Sequence, residues 1–212
     1  MPYDLVAFDL YGTLLAIEKL EGALDRILGG DARALLADWR KAQIGRTWDL
    51  NQRKAYEPFG EVTARALAQV APYLASEAME RACKAWMTVP AHPDAAHALR
   101  GLRAAGVRCA VLSNGTAPMI RSALDAAGLV LDEVRSVDEV RVYKPDPRAY
   151  ALLDQMAPRD RTLFVSSNGW DVDGCKQTGR SAAYVDRGGA APTHAPDVRV
   201  TSLEEVARYA AG

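Results

Sequence analysis

Cysteine is scarce. Cys83, Cys109 and Cys175 are odd in number and widely separated in 212 residues, and no CxxC occurs, which fits reduced thiols in a cytoplasmic protein better than a disulfide framework. Histidine is as sparse: His92, His97 and His194 form neither HxxxH nor a Cys/His metal spacing. Charge of one sign is also lacking, with 26 lysines and arginines against 27 acidic residues and a net charge of -1, so no global field favours nucleic acid or an anionic membrane. No apolar run approaches the ~18 residues of a membrane span, and Asp4 interrupts any signal peptide. Gly188-Gly189 belongs to a loop, not to a phosphate-binding GxGxxG. What the chain does have is 49% hydrophobic residues, enough to bury the core of one domain with a substantial insertion.

The apolar pattern changes twice. Leu5 to Phe8 is a continuous apolar run, the mark of a strand buried on both faces of a parallel sheet. Over 17–88 the spacing is helical (Leu20, Leu24, Ile27, Leu28; Leu35, Leu36, Trp39; Val62, Ala66, Leu67, Val70), with breaks at Gly29-Gly30 and Pro72. Then strands and helices alternate: helix 94–105, strand 107–112, helix 118–127, strand 133–137, helix 147–156, strand 162–165, helix 172–178, and strands 182–185 and 198–200. Ser202 starts a last helix, with Glu205 at capping-box spacing. Alternation of this kind predicts an α/β fold, a Rossmann-like parallel sheet core over 1–15 and 89–212, with 16–88 inserted as an all-helical domain.

Polar clusters follow the strands: Asp9 and Thr13; Ser113, Asn114 and Gly115; Lys144; and Ser166, Ser167, Asn168 and Asp171. All would converge on the carboxyl edge of the sheet, where such folds bind ligands. Singly, each has an ordinary structural reading. Asp9 could cap a turn, and Ser113-Asn114-Gly115 or Ser166-Ser167-Asn168 could cap helices or offer donors to an anion. Asp146-Pro147 is a good helix start, which leaves Lys144 either solvated or the counter-charge of Asp9 and Asp171. The four clusters in this order are far more specific than any one.

This order resembles the haloacid dehalogenase-like superfamily, with 16–88 in the place of its helical cap domain. Most members are magnesium-dependent phosphatases, which carry a general-acid aspartate where this chain has Tyr11 and a further acidic ligand within the Ser166-Ser167-Asn168 segment. A phenol with a pKa near ~10 substitutes poorly for such an acid. Both departures resemble the L-2-haloacid dehalogenase branch, as do Phe8-Asp9-Leu10-Tyr11-Gly12-Thr13, Leu112-Ser113-Asn114-Gly115, Val142-Tyr143-Lys144-Pro145-Asp146 and Phe164-Val165-Ser166-Ser167-Asn168-Gly169-Trp170-Asp171.

The resemblance implies hydrolysis of short L-2-haloacids to 2-hydroxyacids of inverted configuration, with halide released and neither metal nor cofactor used. Asp9 would attack; Ser113 and the amides of Leu10, Tyr11 and Asn114 would hold the substrate carboxylate; Arg40 would meet the halide. Asp171, held by Lys144, would position or deprotonate water, with Thr13, Ser166 and Asn168 fixing the carboxylates. Tyr11, Ile44, Phe59 and Trp170 match the branch's apolar pocket, Tyr150 another of its motif positions on the substrate side, and a homodimer is implied. Arg40 read alone is a surface arginine of an amphipathic helix. The competing functions are a magnesium-dependent phosphatase and a catalytically silent binding protein of the same fold.

Overall fold

A computed structural model describes residues 3–28 and 32–212. The chain runs β1 (Leu5–Phe8), α1 (Leu20–Leu28), α2 (Ala32–Gln52), α3 (Phe59–Val70), α4 (Ser76–Ala85), α5 (Ala95–Ala104), β2 (Arg108–Ser113), α6 (Ala117–Ala127), β3 (Glu133–Ser136), α7 (Pro147–Tyr150), β4 (Thr162–Ser166), α8 (Gly169–Gln177), β5 (Ser181–Val185), β6 (Val198–Val200) and α9 (Leu203–Ala211). The strands form one six-stranded parallel sheet in the order β3-β2-β1-β4-β5-β6. The chain thus works outward from β1 in both directions, and the carboxyl ends of β1, β2 and β4 flank the crevice where the order reverses.

Every residue of β1 is buried, as its unbroken apolar run requires. Val6, Phe8, Val111, Leu163 and Val165 pack on one side with Leu99 and Leu102 of α5 and Leu203 and Val206 of α9. Leu5, Ala7, Leu112, Phe164 and Tyr184 face the other, with Tyr150, Leu152, Leu153, Val172 and Cys175. Each fully buried Val, Leu or Phe contributes roughly 1.5–3 kcal/mol, so the two-sided burial of β1 fixes the position of the residue that follows it.

Between β1 and α5 the described residues form helices and turns, apart from isolated bridges at Tyr11, Leu15 and Ala91. Pro72 falls between α3 and α4, as its lack of an amide donor predicts; the break expected at Gly29-Gly30 lies outside the described residues. Trp39 of α2 and Trp86, just after α4, are both fully buried and meet edge to face with centroids 5.5 Å apart. The helical insertion is pinned beside the Lys144 segment by Asn51. Its Nδ2 donates to the Tyr143 carbonyl at 2.7 Å and its Oδ1 accepts from the Tyr143 amide at 2.9 Å, while Tyr56 stacks on the Tyr143 ring.

Some elements depart from the expected pattern. The helix expected over 147–156 is one α-helical turn continued as 3-10 helix Ala151–Gln155, a winding that buries the adjacent Leu152 and Leu153 together. Helix α8 begins at Gly169, before the expected 172, although glycine is a poor helix former. A Cβ at Gly169 would collide with the Ala190 carbonyl of the covering loop, so close approach explains the glycine. Ser202 caps α9 by accepting from the Glu205 amide, but the Glu205 carboxylate accepts from the Thr201 and Ser202 hydroxyls, not in a reciprocal backbone bond.

Candidate active site

Asp9 leaves the carboxyl end of β1 only 6% exposed, with its amide donating to Val165 of β4 at 2.8 Å. Its Oδ2 accepts from Thr13 Oγ1 and Asn168 Nδ2, both at 3.0 Å, and its Oδ1 accepts from Lys144 Nζ at 2.9 Å. Asn168 stands at the N-cap position of α8 yet its side chain caps nothing there; it reaches Asp9 instead. Nor do Ser113 and Asn114 cap α6, because Thr116 does so by accepting from the Met119 amide. The bland capping reading fails for both clusters.

Lys144 is 1% exposed, and its three ammonium protons are all committed, to Asp9, to Asp171 Oδ2 at 2.7 Å and to the Leu112 carbonyl at 3.1 Å. Burial alone would lower its pKa, but the Asp171 and Asp9 carboxylates outweigh burial and raise it, so it is a fixed cation with no proton to give. Asp171 is fully buried and its carboxyl is held above the usual range, first by burial and then by Asp9, against the pull of Lys144. Its Oδ1 accepts from Tyr150 Oη at 2.7 Å.

The cavity above Asp9 is small, with about 20 Å³ for the centre of a water-sized sphere. Asp9, Tyr11, Arg40, Ile44, Phe59, Ser113, Asn114, Lys144, Asn168 and Trp170 line it, every one a residue singled out in the sequence. Thr47 lines it too and was missed, although Arg40, Ile44 and Thr47 share one face of α2 at helical spacing. Ser167 was also overlooked as a supporting residue. Its amide donates to Thr13 Oγ1 at 2.9 Å and its hydroxyl donates to the Gly12 carbonyl at 2.7 Å, fixing the threonine that holds Asp9.

The remaining expected residues stand behind the lining. Tyr150, expected on the substrate side, is fully buried against Asp171, because its short helix packs with Phe164 and Val172 in the core on one face of the sheet. Asp171 is not in the cavity lining: the Lys144 ammonium bridges its carboxylate to that of Asp9. Ser166, expected to hold a carboxylate, instead accepts from the Asn168 amide at 3.1 Å, since its side chain turns along its own chain. The Leu10 side chain is fully buried, leaving only its amide for a ligand.

Among the described residues, the amides of Leu10, Tyr11 and Asn114 have no protein acceptor, and Ser113 Oγ accepts from the Gly115 amide while its own proton remains uncommitted. These are donors for an anion. Arg40 also forms no salt bridge among the described residues; its guanidinium donates to Gln43 and lies over the Trp86 ring with Cζ 5.5 Å from the centroid. Burial lowers its pKa, partly offset by Asp9 and Tyr11, from a value so high that the charge persists. Burial pushes the Tyr11 phenol up, and its proton is committed to the Trp86 carbonyl, so it is no general acid.

Magnesium fits this donor set poorly. The space between Asp9 and Asp171 already holds the Lys144 ammonium, and a divalent ion needs several oxygens with compensating carboxylate charge. Among the described residues no group of three or more acidic, histidine or cysteine side chains could hold a metal, and no helix is long and apolar enough to cross a membrane.

Known proteins resemble this chain in sequence and fold. A dehalogenase from Pseudomonas putida, (S)-2-haloacid dehalogenase H-109, is 36% identical over 197 residues, covering 89% of this chain and 88% of its own. The (S)-2-haloacid dehalogenase of Pseudomonas sp. (strain YL) is 35% identical over 212 residues, covering 95% and 91%. The solved L-2-haloacid dehalogenase of Xanthobacter autotrophicus with chloropropionic acid covalently bound superposes with a TM-score of 0.93 at 30% identity, covering 99% of both chains. The model of the haloacid dehalogenase-like hydrolases matches residues 3–179. With that match spanning β1 through α8, and with relatives of this identity along most of its length, the chain belongs to the haloacid dehalogenase-like hydrolases.

Proposed function

We propose that this chain hydrolyses short L-2-haloacids to 2-hydroxyacids of inverted configuration, through an ester on Asp9 and without a metal. The observation that carries the reading is the pairing of a buried carboxylate, Asp9, with a cation that forms no salt bridge among the described residues, Arg40, in the lining of one small cavity. Oδ2 of Asp9 has both lone pairs engaged by Thr13 and Asn168, whereas Oδ1 has only Lys144, so Oδ1 keeps a lone pair for attack.

The substrate carboxylate is held by the Ser113 hydroxyl and the amides of Leu10, Tyr11 and Asn114, with Ile44, Phe59 and Trp170 against the alkyl group. Asp9 Oδ1 attacks C2 from the side opposite the halogen; the C–X pair leaves as halide toward Arg40, and C2 inverts. The halide needs no proton, so the neutral Tyr11 is no handicap. Water then adds to the Asp9 carbonyl carbon, the bond from that carbon to the ester oxygen breaks, and the departing alkoxide takes one of the water's two protons and leaves as the hydroxyacid with the original Asp9 oxygen. The other proton passes toward Asp171 and then to solvent. A raised carboxyl suits Asp171 to accept it, and the fixed Lys144 charge balances both carboxylates in either half of the cycle.

In this reading residues 16–88 form the cap that closes the cavity over a core of 1–15 and 89–212, and the protein acts in the cytoplasm as a homodimer, for which light scattering at monomer mass is the contrary result. The activity test is halide release from each enantiomer of 2-chloropropionate with a chelator present, beside a phosphate ester with magnesium. Release from the L form alone, indifferent to chelator, is expected; magnesium-dependent phosphate release without halide would replace this reading with a phosphatase, and silence in both arms would leave a binding protein.

A further inference from the structure

Arg40 is held by a neutral acceptor that is itself held. Arg40 Nη1 donates to Gln43 Oε1 at 3.2 Å, Gln43 Nε2 donates to Thr63 Oγ1 at 2.9 Å, and Thr63 Oγ1 donates to the Phe59 carbonyl at 2.8 Å. Gln43 is 0% and Thr63 1% exposed, so water does not compete for the two bonds behind the Gln43 carbonyl. The order of donors is chemically determined. The single hydroxyl proton of Thr63 is committed to Phe59, so Oγ1 can only accept, and only the Gln43 amide nitrogen can serve it. The Gln43 carbonyl oxygen is thereby turned to Arg40; the flipped amide would set NH₂ against a guanidinium. The neighbouring indole of Trp39 donates to the Thr63 carbonyl at 2.8 Å and locks α2 to α3 at this level.

We propose that Gln43 is a positioning residue which, with Thr63 behind it, aims the Arg40 guanidinium at the departing halide without neutralising it, an inference that rests on the dehalogenase reading. Glutamate has the same shape and would bond Arg40 more strongly, but the resulting buried ion pair would spend the charge that the halide needs. A neutral carbonyl orients the cation and leaves its field intact. The need is greatest in the transition state, when charge develops on the halogen, so the relay serves the halide-forming step more than substrate binding.

The test measures single-turnover halide release from L-2-chloropropionate in wild type, Gln43→Glu, Thr63→Val and Thr63→Ser, with a bromide titration followed by tryptophan fluorescence, since Trp86 lies under Arg40 and Trp39 beside it. Gln43→Glu is expected to slow halide formation by about 10² to 10³-fold, the scale of losing one preorganised charge contact, with KM near wild type. Thr63→Val loses rate in the same step, and Thr63→Ser, which restores the hydroxyl, recovers it. Saturable bromide quenching in wild type is expected to vanish in Gln43→Glu, above a linear background from the half-exposed Trp48.

Halide release by Gln43→Glu at the wild-type rate would overturn the relay and leave the dehalogenase reading standing. If Gln43→Glu does not fold, equal rates for Thr63→Val and Thr63→Ser overturn it in the same way. No halide release by wild type would reject the dehalogenase reading, and the bromide titration then decides: quenching that saturates in wild type and is lost in Gln43→Glu upholds the relay at an anion site, while any other outcome rejects it.

Discussion

Replacing Lys144 with methionine keeps the bulk of the side chain and removes the charge that lies between two buried carboxylates. Nζ bonds Asp171 at 2.7 Å, Asp9 at 2.9 Å and the Leu112 carbonyl at 3.1 Å, with Asp9 and Asp171 only 6% and 0% exposed. Breaking a buried ion pair by removing one partner costs about 3–5 kcal/mol, because the remaining charge is stranded away from water. That is a large part of the ~5–15 kcal/mol that holds a domain folded. The variant can relieve the cost by keeping a proton on one carboxyl, and Asp171, already raised by burial and by Asp9, is the group to take it.

The sign of the pH dependence follows. A carboxyl whose folded pKa lies above its unfolded value weakens the fold as pH climbs from the unfolded value to the folded one, and the deficit is complete above that. The deficit of Lys144→Met relative to wild type is therefore larger at about pH 8 than at about pH 5, where the retained proton relieves it. Wild-type Lys144 adds no slope in this window. Its own pKa is raised above 10.5, so its contribution is whole there and is lost only as pH rises through the folded value. Urea denaturation of both proteins at the two pH values measures the deficit, and halide release should fall with it as Asp9 loses its counter-charge. A deficit under about 1 kcal/mol at the higher pH, the size expected of an exposed pair, or equal deficits at both, would refute the assignment of Lys144 as the counter-ion of both carboxylates.

Arg40→Ala should lower the turnover number by about 10²-fold or more while KM changes less, because the charge it meets develops in the transition state; steady-state kinetics with an unchanged turnover number would remove Arg40 from the site. Tyr150→Phe removes a hydrogen bond that lowers the Asp171 pKa, so the acid limb of ester hydrolysis should move to higher pH than in wild type. A pH profile with the limb unmoved would separate Asp171 from that step. Gly174→Ala would drive a Cβ into Pro145 and to 2.7 Å from Tyr150 Oη; overpacking of this kind costs roughly 1–3 kcal/mol, to be read by denaturation, and a variant as stable as wild type would show that α8 can shift away from the Lys144 segment.

Much of this was legible in the sequence because burial on both faces leaves a simple trace. The apolar run at Leu5–Phe8 marks β1, and the strands expected to alternate with helices occur within a residue or two of their expected bounds. Lys144 and Asp171 could be paired because a lysine ahead of a helix cap and an aspartate after a strand reach the same sheet edge. Direction was not legible. Spacing placed Tyr150 and Ser166 near the site, but only packing shows that Tyr150 turns to Asp171 and Ser166 to its neighbour's amide. Nothing near Gly169 in sequence announces the loop at Ala190 and Ala191 that packs on it and makes glycine necessary in the first turn of α8. Gln43 and Thr63 lie on different helices, and nothing in either helix's periodicity announces the bond between them.

In the proposed reaction Asp9 becomes an ester whose carbonyl water attacks. Single turnover of L-2-chloropropionate in heavy-oxygen water, with enzyme in excess and the Asp9 peptide analysed by mass spectrometry, tests it directly. One heavy oxygen is expected in Asp9 and none in the first hydroxyacid released; heavy oxygen in the hydroxyacid with Asp9 unlabelled would mean that water displaces the halide directly, with no ester formed.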